Sequence, residues 1–134
     1  MQNIYRVFAS SFVAVLALSA CAATQQKTPL AEAKNVALGQ QAYADGPIVQ
    51  PVAVLEDSRC PQDVVCVWAG QVRVKMLWIR SGGRQQEFEV TLGKRTPIAD
   101  GSILLERVAP ARTTSTKAIK PADYRFDFRF DGGL

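Results

Sequence analysis

Between Tyr124 and Asp131 the chain alternates without a break. Tyr124, Phe126, Phe128 and Phe130 fall on one side; Arg125, Asp127, Arg129 and Asp131 fall on the other. A period of two belongs to a strand with one face in a core and one in water. The aromatics are therefore expected inside, and the charges, alternating in sign, in cross-strand pairs. Glu87–Leu92 repeats the pattern. In Gln71–Ile79, Val72, Val74, Met76 and Trp78 share a face opposite Arg73 and Lys75, until Leu77 and Ile79 make the end apolar on both sides. Such an end calls for a second layer. Ser81-Gly82-Gly83 reads as a hairpin turn, because glycine accepts the positive φ that such turns require. Asp100-Gly101 is a turn ahead of a strand at Ser102–Val108, and Asp45-Gly46 separates strands at Val36–Tyr43 and Ile48–Leu55. Pro47 and Pro51 mark the latter as an edge strand or a bulged one. With no long helical period, the pattern predicts an all-β fold, an antiparallel β-sandwich or small barrel of about six to seven strands.

The first 34 residues are different. Arg6 is followed by an apolar run from Val7 to Ala17 and then by Leu18-Ser19-Ala20-Cys21. A cation, a short apolar stretch and small residues make a secretory signal. L-S-A-C is the form of a bacterial lipobox, in which the cysteine thiol takes a diacylglycerol and the freed amine a further acyl chain. The run is too short to span a bilayer, which needs roughly 20 residues. Ala20-Cys21-Ala22 is also an A-x-A site, so export without lipid is the competing reading. The expected layout is a lipoprotein signal peptide over 1–20, lipidated Cys21 with a polar tether over 21–34, and one β domain over 35–134. A short helix starting at Thr28-Pro29 fits the tether. Because residue 22 is Ala and not Asp, the expected location is the periplasmic face of a Gram-negative outer membrane, with the acyl chains as the membrane contact.

Charge adds little. The chain has 16 Lys and Arg against 12 Asp and Glu, an excess of four, and cleavage after Ala20 removes Arg6. The basic residues form no cluster of the kind nucleic acid requires, so no nucleic-acid partner is expected. The cysteines add more. With Cys21 assigned to lipid, Cys60 and Cys66 remain as a pair, and in an oxidising compartment they are expected to form a structural disulfide. A metal site competes poorly, because the chain contains no histidine and soft-metal sites usually add one. Redox chemistry competes poorly too, since the spacing is C-x5-C and not C-x-x-C.

Those cysteines sit in the densest motif of the chain, Glu56-Asp57-Ser58-Arg59-Cys60-Pro61 through Cys66-Val67-Trp68-Ala69-Gly70. Asp57 or Ser58 can cap turn amides, and Pro61 fixes φ after the first cysteine. Arg59 is expected to pair with Asp57, Glu56 or Asp63 at an exposed position worth about 0–1 kcal/mol. Trp68 is expected to cover the sulfur pair, and Gly70 to let the next strand begin. D-S-R-C-P followed by C-V-W-A-G resembles a signature of small bacterial secreted proteins and lipoproteins, a group without an assigned activity. Leu105–Pro110 and Tyr124-Arg125-Phe126 are similar to late strands of that group. The likeness covers most of 35–131, and it implies an exported, single-domain, disulfide-containing β protein. No catalytic or binding residues carry over from it.

Function is bounded mainly by what is missing. Without histidine there is no Ser-His-Asp triad, Cys-His pair or histidine metal site within the chain, and no phosphate-cradling glycine motif is present. Glu56 and Asp57, adjacent on an extended chain, point to opposite sides. The expectation is a non-catalytic, monomeric envelope lipoprotein with no cofactor or metal. It would bind a partner protein or a cell-wall polymer, with Asp57, Arg59 and Trp68 as candidate contacts beside the irregular segment 110–121. The alternatives are an inhibitor or protective factor directed at an envelope hydrolase, a small periplasmic enzyme, and a purely structural role.

Overall fold

The alternation at the C-terminus becomes the centre of the molecule. In the computed structural model, which describes residues 30–133, Arg125–Gly132 is the last of eight strands (β8). Phe126 and Phe128 are buried and stack on one another with centroids 6.1 Å apart, and Tyr124 stacks on Phe126 at 5.9 Å. The intervening charges pair outward. Asp127 accepts two hydrogen bonds from Arg107 (2.7 and 2.9 Å), and Asp131 pairs with Arg95.

The strands form two sheets and no closed barrel. Ala31–Glu32 (β1), Ala42–Tyr43 (β2), Ile48–Asp57 (β3), Val72–Ile79 (β4) and Gln85–Thr91 (β5) lie in that order in a five-stranded sheet. Arg95–Ile98 (β6), Gly101–Ala109 (β7) and β8 make the second. All pairings are antiparallel except that of β1 with β2. Two isolated bridges, Val36 with Phe126 and Leu92 with Leu105, join the sheets. Val72, Val74 and Met76 of β4, Val49 of β3, Val90 of β5, and Ile103 and Leu105 of β7 meet the phenylalanines in one apolar core. Trp78 packs on its margin, partly buried.

Departures from the periodicity have local causes. The strand expected at Val36–Tyr43 survives only as the Val36 bridge and β2. Gly39 takes φ +79°, and the Gln40 side chain accepts from the Ala37 amide at 2.9 Å, so the segment turns. Strands β1 and β6 were not expected: the first is two residues long and the second, Arg-Thr-Pro-Ile, is too short and polar to show a period. The folded region also begins earlier than residue 35. Ala31–Glu32 is paired, Ala33 is buried, and the Asn35 amide donates to Asp127 at 2.7 Å. Small alanines allow that close approach without an apolar pattern. The hairpin after β4 is a 3-10 turn with both Gly82 and Gly83 at positive φ.

The signal segment, Cys21 and the Thr28-Pro29 helix start lie outside the described residues. Among the described residues no helix is long and apolar enough to cross a membrane.

Candidate functional site

Strand β3 ends at Asp57, and the chain returns as β4 at Val72; the fourteen residues between are closed at a neck. The Ser58 amide donates to the Gln71 carbonyl at 2.9 Å, the Gln71 amide donates to Ser58 Oγ at 3.0 Å, and Gln71 Nε2 donates to Glu56 at 2.9 Å. Gly70 makes this neck feasible: a Cβ there would lie 1.5 Å from the Ser58 carbonyl oxygen.

Asp57 and Arg59 form an internal clamp at the neck. Arg59 donates to both carboxylate oxygens of Asp57 at 2.8 and 2.7 Å, and through Nη1 to the Val108 carbonyl on β7 at 2.8 Å. The Tyr124 hydroxyl donates to Asp57 Oδ2 at 2.9 Å, and Arg112 donates to the Asp57 carbonyl at 2.8 Å. The end of one sheet is thus tied to the second sheet and to the connection before β8. The pair is not exposed, as the sequence led one to expect, but half-buried: the side chains of Asp57 and Arg59 are 8% and 15% accessible. The loop folds them under itself because the guanidinium reaches Val108. Burial pushes the Asp57 carboxyl up; the hydrogen bonds from Arg59 and Tyr124 and the guanidinium charge outweigh it and hold the group below its ordinary value. Burial, with Asp57 beside it, pushes the Tyr124 phenol up to about 12.

That shift sets a pH dependence. An unfolded tyrosine ionises near about 10, so above that pH the folded state keeps a proton that the unfolded state has lost. The stabilisation is complete below pH ~10 and declines as the pH rises toward 12. Chemical denaturation of Tyr124→Phe should show a flatter profile in that range than the parent.

Beyond the neck, Cys60 and Cys66 form the expected disulfide. The polar side of the loop is committed inward: the Gln62 amide donates to the Arg112 carbonyl at 2.8 Å, and Asp63 accepts from the Thr114 amide at 2.8 Å and from its hydroxyl. Those two bonds hold the Asp63 carboxyl below its ordinary value. The apolar side is left in water. Val65 is 100% exposed, Val67 91%, Trp68 80% and Val64 45%. Trp68 therefore does not cover the sulfurs, because the contacts to 112–114 fix which side of the loop faces the body. Of the three candidate contacts, Asp57 and Arg59 point inward together and Trp68 points out.

A concave surface that the sequence did not reveal lies beside the clamp. The β3–β4 register slips twice, between Pro51 and Ala53 and between Val54 and Glu56. Each β-bulge drops one residue from the ladder: Val52, 40% exposed, and Leu55, 44% exposed. Both line a groove of about 440 Å³ with Leu38, Ile119 and Tyr124, and with Asp57 at one end. Its only sequence signal was Pro51, which hinted at a bulge but gave no partner for it.

The nearby carboxylates are engaged, Asp57 with Arg59 and Glu56 with Ser58, Gln71 and Arg73. Among the described residues no group of three or more Cys, Asp or Glu is placed to hold a metal ion.

The chain is thus an all-β, two-sheet protein with a disulfide-closed loop braced at one end. It has no significant match to known protein families, to curated proteins or to solved structures.

Proposed function

We propose that this chain is a non-catalytic binding protein of the bacterial cell envelope, held by acyl chains on Cys21, that takes a partner protein or an envelope polymer at the end of the domain carrying the disulfide loop. The observation that carries the reading is the groove. A concave apolar surface with a few fixed polar groups is the ordinary form of a recognition site, and here two bulges in succession aim Val52 and Leu55 into it. Asp57 and Arg59 act by holding the groove's end rigid, which lowers the ordering cost of binding. A second reading, an inhibitor of an envelope hydrolase, draws on the convex, disulfide-closed loop next to the groove.

The test is a photo-crosslinking residue at Val52 in the full chain in cells. One dominant adduct is expected, and Leu55→Asp should abolish it while changing folding stability by about 1 kcal/mol or less, since that side chain is already half in water. An adduct that survives Leu55→Asp, or none at all, removes the groove from recognition.

A further inference from the structure

Seven residues from Val64 to Gly70 carry no charge, and four of them stand out as a convex apolar knob. A monomer rarely leaves such a cluster uncovered unless it meets another surface. We infer that the knob is a membrane-docking element that enters the surface of an anionic bilayer, the one that holds the acyl chains of Cys21. The inference rests on the proposed lipid anchor, not on the groove.

Two observations select a lipid surface. The first is charge. Arg112, Lys117, Lys120 and Arg125 belong to, or border, the connection packed behind the knob, and none pairs with a carboxylate among the described residues. Lys117 and Lys120 are exposed. Against them stand Asp63, tied to Thr114, and the exposed Asp123. Exposed tryptophan and aliphatic side chains backed by cations suit an anionic headgroup layer.

The second is where the chain comes from. β1 runs parallel to β2 and antiparallel to β3, so the chain enters β1 from the side on which β3 ends. Ala31 lies level with Val49, and from there to Asp57 is about 26 Å at 3.3 Å per residue. The ten residues from Cys21 to Leu30 span at most about 36 Å. A link of that length is long enough to bring Cys21 to the plane of the knob, so both can share one bilayer. The acyl chains on Cys21 would hold the chain to the bilayer, and the knob would fix the orientation of the domain on its surface.

The test uses the full lipidated protein in vesicles of phosphatidylethanolamine and phosphatidylglycerol with brominated acyl chains. In a Trp78→Phe background Trp68 is the only tryptophan. Its emission should shift to shorter wavelength and be quenched about twofold, as expected for a ring at the headgroup level. Lys117→Glu with Lys120→Glu should weaken the quenching, and Trp78, read in a Trp68→Phe background, should show none. Trp68 emission that stays water-like and unquenched overturns the inference. So does a photo-crosslinker at Val65 in cells that labels protein and no lipid, which would assign the knob to a protein surface. No acyl groups on Cys21 by mass spectrometry would overturn the proposed anchor and this inference with it, whereas acylated Cys21 with unquenched Trp68 would overturn the inference alone.

Discussion

Asp57→Ala should lower folding stability by about 1–3 kcal/mol, the cost of stranding partly buried hydrogen-bonding partners. The loss is large because Arg59 would keep its charge under the loop without the carboxylate, and the Tyr124 hydroxyl would lose its acceptor. Arg59→Ala should cost a similar amount, and the double variant less than the two together, since the second removal no longer strands a charge. Denaturant titration of the three proteins measures this, and additive single effects would mean that the pair is not coupled. The carboxyl is held below its ordinary value in the folded state. Its contribution is therefore present above the unfolded value, near pH 3.9, and is lost as the pH falls through the folded one. Asp57→Asn should be flatter in that acid range. These residues, expected from sequence to be contacts for a partner, are predicted by their geometry to act first on folding.

Gly70→Ala should be comparably severe, about 3 kcal/mol, at the upper end for forcing a group into filled space. The atoms that its Cβ would meet are all backbone: the Ser58 carbonyl oxygen at 1.5 Å, its carbon at 2.2 Å and the Arg59 nitrogen at 2.8 Å. None can turn aside as a flexible side chain would, so the neck must open and give up the bond from Ser58 to Gln71. Gly93→Ala is the control. Gly93 has φ +76° but open space around it, so only the left-handed penalty of about 1–2 kcal/mol applies. Equal melting temperatures for the two variants would show that the close approach at Gly70 relaxes at little cost.

What was legible in the sequence was whatever depends on the period of two. The aromatics of β8, the buried face of β4 and the turns at Gly82 and Asp100 follow from alternation and from glycine, and the all-β fold follows from them. The short strands did not show, because a two-residue β1 of Ala-Glu has no period to read. The disulfide followed from the cysteine count and the oxidising compartment that the signal segment leads one to expect. The loop's orientation did not, because it is set by contacts across long separations: Arg59 to Val108, Gln62 to Arg112, Asp63 to Thr114. Local pattern places a tryptophan near a sulfur pair, yet only those contacts decide that Trp68 faces out. The groove was hidden for the same reason. It is made by two strands losing register, and no single stretch of sequence reports its partner's slippage.

Past Pro51, β3 has β4 on one side and, among the described residues, no strand on the other. In a regular strand that row of amides and carbonyls would template a second copy, with polymerisation as the risk. Pro51 offers no donor there, and the two slips at Val52 and Leu55 break the even spacing that an incoming strand needs. The irregularity that shapes the groove thus also keeps neighbouring copies from joining into one continuous sheet.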